Sequence, residues 1–263
     1  MKKVLNKITG IVLAAVMTMS ALAIGKIDAK AATAINVNQE YRVQISYKQT
    51  AEYTFTTPSN AITSVNACIV NSDDSYAHAH IGLTVDYCNY DGMTVYTGDG
   101  AKKTEDFVFA PGHTATITLS SVSYDDTVTV AFTVNCTNPG NLEKEKNNYP
   151  GAATQIKLKK TYNGMVSYVD SDVDWYVFKA PKTGKYKFYA VNTMTNGYSH
   201  VYVKGYKSKT KEDPNFGGYL NSGAGWSKSK SIKLKKGKRY YIKFSNPSYA
   251  DSVPVQIRVK KVK

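Results

Sequence analysis

Hydrophobic and polar residues alternate with a period of two along much of the chain. The alternation runs through Tyr53–Phe55, Thr114–Leu119, Val128–Val134, Tyr186–Phe188 and Arg239–Phe244, with Gly, Pro, Asn and Asp between the runs. Successive side chains of a strand point to opposite faces, so this period predicts half-buried β-strands. In the clearest run, Val128, Val130, Phe132 and Val134 are expected to face between two sheets, and Thr129, Ala131 and Thr133 to face out. Short strands at this density, divided by turn residues, predict β-sandwiches. The fold class expected is all-β, with no amphipathic helix beyond the N-terminal segment.

The pattern repeats. Ile35–Tyr41 aligns with Ile156–Tyr162, Tyr53–Pro58 with Tyr176–Pro181, Ala110–Ile117 with Lys235–Ile242, and Val128–Val134 with Val253–Val259. The offsets are 121, 123, 125 and 125 residues. Four matches in order at nearly one spacing indicate duplicated units. The turn-rich stretch Thr137-Asn138-Pro139-Gly140-Asn141 suits a short joint. The expected organisation is a leader at residues 1–31, a sandwich at 32–137, a linker at 138–142 and a second sandwich at 143–263.

The leader reading rests on three features. Met1-Lys2-Lys3 and Lys7 form a basic start, residues 8–24 are apolar, and Ala29-Lys30-Ala31 offers a small-residue cleavage site. Together these describe a secretory signal peptide. The apolar stretch is short and ends in Gly25-Lys26, which weakens a transmembrane reading. No second long apolar run follows. The expected location is extracellular, with cell-wall association as a variant.

Charge divides the two units. Residues 32–140 hold four Lys and Arg against eleven Asp and Glu, a net of −7, whereas residues 141–263 hold 25 against eight, a net of +17. The whole-chain value of +14 therefore hides a dipolar molecule. Lysines at Lys185 and Lys187, Lys228 and Lys230, and Lys233 and Lys235 are spaced to line one exposed sheet face. Such a face either aids solubility or attracts a polyanion such as a cell-wall polymer, an acidic polysaccharide or a matrix protein. Nucleic acid suits the charge but not export.

Oxygen-rich side chains concentrate in two places, Glu143-Lys144-Glu145-Lys146-Asn147-Asn148 and Asp170-Ser171-Asp172-Val173-Asp174. Calcium takes six to eight oxygen ligands, so two such clusters folded together make a calcium site; left apart, they are solvated turns. The alternation after Asp174 reads as a strand, which places the aspartates at its mouth.

These residues also carry a resemblance. The E-x-E-x-N-N run at Glu143–Asn148, Ala152 and Ala153, a short strand reaching Gly164, and Asp172-Val173-Asp174-Trp175-Tyr176-Val177-Phe178 resemble the bacterial prepeptidase C-terminal domain, notably the collagen-binding kind attached to clostridial collagenases. Gly237-Lys238-Arg239-Tyr240-Tyr241 and the closing strand Val255–Val259 match its later landmarks. The likeness covers residues 141–263, and residues 35–137 look like a diverged repeat. It implies a jelly-roll-like sandwich, no catalytic activity, and calcium at the N-terminal linker held by Glu143, Glu145, Asn147, Asn148, Asp172 and Asp174, with Asp170 competing. Asn148 stands where that family often has aspartate, and one charge fewer implies weaker, extracellular-class affinity. Exposed aromatics serve collagen binding in such domains. Here Tyr202, Tyr206, Tyr219, Trp226, Tyr240 and Tyr249 are the candidate ligand residues, or else core residues of a sandwich.

The first unit lacks the calcium pattern. Its insertion from Asn71 to Asp91 carries His78-Ala79-His80, a pair that could join Asp73, Asp74, Asp86 or His113 at a transition metal. Cys68 and Cys88 flank the insertion and form the preferred disulfide, leaving Cys136 over; three reduced thiols are the alternative. No G-x-S-x-G, H-E-x-x-H, phosphate-binding or dinucleotide motif occurs. The acid pair Asp125 and Asp126 reads as a turn. The expected protein is a non-catalytic binding or adhesion protein; the alternatives are a partner or inhibitor of an exported enzyme, and a hydrolase using the insertion.

Overall fold

A computed structural model describes residues 32–262, apart from 73, 87, 122–126, 170–171, 196 and 248–251. The leader, Asp73, Asp125, Asp126, Asp170, Ser171 and Tyr249 thus lie outside the described residues.

The described residues form strands without helix. The first half contains β1 (Thr33–Ala34), β2 (Glu40–Ser46), β3 (Thr50–Thr56), β4 (Ile62–Ser72), β5 (His78–Val85), β6 (Cys88–Tyr96), β7 (Lys102–Lys103), β8 (Phe107–Val108), β9 (Thr114–Ser121) and β10 (Thr127–Thr137). The second half contains β11 (Thr154–Ile156), β12 (Thr161–Val166), β13 (Val173–Lys179), β14 (Gly184–Asn192), β15 (His200–Tyr206), β16 (Glu212–Asn221), β17 (Ser227–Lys228), β18 (Ile232–Leu234), β19 (Arg239–Ser245) and β20 (Val253–Val262).

Each half is a two-sheet sandwich, and the two share one topology. Sheet β1-β3-β9-β5-β6 stands over β2-β10-β4-β7, with β8 also on β4. Sheet β11-β13-β19-β15-β16 stands over β12-β20-β14-β17, with β18 also on β14. Adding ten to each strand number of the first half gives the second. The matched segments of the sequence repeat fall on corresponding strands: Thr33 pairs with Tyr53 in the first half and Thr154 with Tyr176 in the second.

The inward positions follow the period-two reading. Val128, Val130, Phe132 and Val134 are all buried in the first core. Ala131 faces away from that core as expected but is nonetheless 4% exposed, because it lies between Arg42 and Cys68 on the flanking strands. The second core is aromatic, built on Tyr176, Phe178, Tyr186, Phe188, Tyr240 and Phe244. Phe188 stacks on Tyr240 with ring centroids 4.5 Å apart, and Tyr176 meets Phe244 edge-on. Full burial of one such ring stabilises by about 2–3 kcal/mol.

The joint pairs with the second half, and the two halves touch. Leu142 is buried and bridges to Asn163, the Glu143 N–H donates to the Asn163 carbonyl, and Asn163 donates to the carbonyls of Asn141 and Gly140, so pairing with the second sandwich begins within the joint. Tyr168 and Val169 pack against the first core, and the Tyr168 hydroxyl donates to the Tyr90 carbonyl at 2.7 Å. The Ser252 N–H donates to Glu105 at 2.8 Å.

The disulfide reading is corrected. No disulfide joins Cys68 to Cys88. Cys68 is on β4 and Cys88 on β6, strands of opposite sheets.

Candidate metal centre

Glu143, Glu145 and Asp174 come together at one end of the second sandwich, each offering a carboxylate oxygen within 4.8 Å of the others. Local structure explains the meeting. Asp174 sits on the inward face of β13 together with Tyr176 and Phe178, at the end where the core gives out. Glu143 is delivered by the joint segment, whose backbone pairs with β12. The two oxygen-rich clusters of the sequence are thereby folded against each other.

Glu143 is gripped. Its Oε1 accepts from the Met165 N–H at 2.6 Å, and its Oε2 accepts from the Tyr176 hydroxyl at 2.6 Å and the Asn147 side-chain amide at 3.3 Å. The Asn147 side-chain amide also donates to Thr154 Oγ1, and the Asn147 backbone carbonyl accepts from the Trp175 N–H. Gly164 makes the grip possible: a Cβ there would overlap the Tyr176 hydroxyl and stand 2.8 Å from Glu143 Oε2. Tyr176 and Gly164 are the parts that reading the sequence for ligands passes over. The signal for them was a lone glycine within a strand, which marks close approach.

Other oxygens at this end have no protein donor. Asp174 Oδ1 and Oδ2, Asn147 Oδ1 and Asn148 Oδ1 are buried without a hydrogen-bond partner. Unsatisfied buried acceptors are costly, and a cluster of them with carboxylates is the chemistry a hard cation satisfies. The residues present therefore fit such an ion. Asp172 is close by: its Oδ2 accepts from the Ser167 N–H, and its charge acts on Glu143, Glu145 and Asp174.

Without a cation the cluster resists ionisation. Burial, opposed by the donors on Glu143, pushes its carboxyl up to about 7. Burial and then the charges of Glu143 and Asp172 push Glu145 up to about 9. Asp174 is raised well above the ordinary range, first by burial and then by Glu143. A divalent cation opposes every one of these effects.

The centre opens toward the first sandwich. Glu145, Lys146, Asn148, Ser167 and Asp172 line a cleft of about 120 Å³ whose other wall includes Tyr90 and Phe109. Of the sequence-derived ligand set, Glu143, Glu145, Asp174, Asn147, Asn148 and Asp172 thus gather at one place, and Asp170 lies outside the described residues.

The other predicted sites do not gather. His78 and His80 share one face of β5, but His113 pairs with Asp86 at the opposite end of that strand. Among the described residues the only cluster of three or more potential metal ligands is the carboxylate centre. The aromatic set separates as well. Tyr240 is 0% exposed in the second core and Tyr206 packs beside Trp175, so neither stands out as a ligand residue, because inward register and a neighbouring indole claim them. Trp226 lies on the other sheet, against Arg258. Tyr202 and Tyr219 pair across β15 and β16 with Tyr219 63% exposed, and His200 and Tyr198 extend the row. Tyr249 lies outside the described residues.

No family model and no curated protein sequence matches the chain. Among solved structures it is similar to the CBM22-1-CBM22-2 tandem domain of Paenibacillus barcinonensis Xyn10C, at 9% identity over 89% of this chain and 100% of that one, with a TM-score of 0.26. It is similar to tripeptidyl peptidase 2 at 10% identity over 86% of this chain and 24% of that one, with a TM-score of 0.32. The CUB1-EGF-CUB2 segment of human MASP-1/3 is 10% identical over 83% of this chain and 99% of that one, at 0.21. At TM-scores this low the likenesses bear no weight in assigning function.

Proposed function

We propose that this protein is an exported, non-catalytic binding protein whose second sandwich is a calcium-organised module of the prepeptidase C-terminal kind. Its ligand is an extracellular polymer: a polysaccharide, a cell-wall polyanion or a matrix protein. The observation that carries the reading is the group of buried Glu143 and Asp174 with half-buried Glu145, where Asp174, Asn147 and Asn148 hold buried oxygens that no protein donor satisfies. An all-oxygen donor set of this kind favours calcium over zinc.

In the bound state Glu143, Glu145 and Asp174 would hold the ion, with Asn147, Asn148 and Asp172 beside it. The ion supplies positive charge and no chemistry on substrate. This chain's own residues do the rest: Tyr176 and the Met165 amide orient Glu143, and β13 fixes Asp174. Because Glu143 directly follows the joint and the cleft beyond Glu145 borders the first sandwich, the ion ties the end of the linker to the second unit.

The test is a thermal melt of the purified protein in calcium, in magnesium and in chelator, with Asp174→Ala beside it. Calcium should raise the melting point and the variant should abolish the rise. A wild-type melt indifferent to calcium and chelator alike would reject the reading.

A further inference from the structure

The outer face of the sheet β12-β20-β14-β17, with β18 at its margin, is a lattice of cations. Lys185 pairs across strands with Lys233, and Lys187 with Lys260. One row on, Lys228, Tyr189 and Arg258 stand side by side. Rows repeat about every 7 Å along the strands and neighbours stand about 5 Å apart across them. None of these five strands contains Asp or Glu. Among the described residues no ion pair joins any of these cations to a carboxylate.

Like charges directly opposite one another destabilise a sheet, so the arrangement weakens the fold unless something compensates it. Solubility alone does not need opposed lysines; interspersed signs serve it better. Arg258 adds a second observation. Its guanidinium lies over the Trp226 ring at 3.9 Å and near Tyr189 at 5.3 Å, while Lys260 stands over the same Tyr189 at 5.5 Å. Its Nε is buried with no hydrogen-bond partner. Aromatic contacts hold the cation in place without neutralising it.

We infer that this face binds an anionic polysaccharide along the strands β14 and β20. The inference rests on the reading of the protein as an extracellular binding protein, and it names the surface and the ligand chemistry. A charge lattice spread over neighbouring strands matches a polymer with repeating anions better than a single anion. Charged sugars combine those anions with apolar ring faces that meet Tyr189 and Trp226. The competing occupants are nucleic acid, and the acidic first half of a second copy.

The test titrates the purified, calcium-loaded protein with labelled dextran sulfate, polygalacturonate, neutral dextran and a single-stranded oligonucleotide. Lys187→Glu/Lys260→Glu and Arg258→Ala are compared with Lys179→Glu/Lys209→Glu, the same charge change away from this sheet. Lys187→Gln/Lys260→Gln replaces the first variant if that one fails to fold. The expected result is binding to one or both acidic polysaccharides and not to neutral dextran, weakened about tenfold or more by the face variants and much less by the control, with a salt slope that falls in the face variants.

Equal loss in control and face variants, tighter binding to the oligonucleotide, or salt-sensitive self-association at the same concentrations would overturn the inference. Binding to neutral dextran that the face variants leave untouched would reject this surface while keeping the binding-protein reading. Absence of binding to any acidic polysaccharide overturns the inference even where the calcium melt succeeds. A failed calcium melt with intact polymer binding faults only the metal.

Discussion

At the scale of the residue, the carboxylate centre depends on a close approach that only glycine permits. Gly164→Ala would push a methyl into the Tyr176 hydroxyl and toward Glu143 Oε2, loosening the hydrogen bond that orients the carboxylate. Overpacking of this kind costs about 1–3 kcal/mol, so the variant should melt lower in chelator and bind calcium more weakly by titration calorimetry. An unchanged affinity would mean that Tyr176 does not position Glu143. The raised carboxyls carry a second prediction. In the metal-free protein Glu143 and Glu145 hold protons up to about 7 and about 9, against an ordinary 4.5 in the unfolded chain. The folded state then binds more protons than the unfolded state between about pH 4.5 and 9, so stability in chelator falls as pH rises through that window. Calcium displaces those protons, and its stabilisation should grow over the same window. Melts of wild type and Glu145→Gln from pH 5 to 9 check both signs; the variant should flatten the chelator curve.

Single strands carry the charge pattern. On β14 and β20, Lys187 and Lys260 are direct cross-strand neighbours, and their repulsion is removable without disturbing the inward Tyr186, Phe188 and Val259. Lys187→Thr should therefore stabilise the protein by about 0.2–0.5 kcal/mol at low salt, read by denaturant titration, with a smaller gain at high salt. A stabilisation indifferent to salt would point to strand propensity instead of charge. The strands were legible in the sequence wherever alternation was strict, as in Val128–Val134. Short elements such as β7, β8, β17 and β18 were not, because two or three residues hold no period and their pairing is set by the long partner beside them. Tyr240 is claimed by the core for a related reason: Tyr240 and Tyr241 are consecutive, so register had to send one inward, and it sent Tyr240.

For the molecule as a whole, the carboxylate centre lies beside the contact between the two halves. Tyr168 and Val169 lie against the first core, and the cleft beside Glu145 borders Tyr90 and Phe109. Chelation and Tyr168→Ala should each broaden the distance distribution between halves measured by X-ray scattering, with secondary structure unchanged by circular dichroism. A distribution identical with and without calcium would confine the ion's role to the second sandwich. The sequence by itself determined the all-β class, the duplication and the two oxygen-rich clusters, because alternation, repeat spacing and clustered oxygens are local or periodic properties. Only the tertiary structure decided which acids meet, which tyrosines are consumed by the core, that Cys68 and Cys88 lie on opposite sheets, and that the lysines of separate strands form one lattice. Those outcomes depend on cross-strand register and sheet pairing between residues far apart in the chain, and local pattern does not encode them.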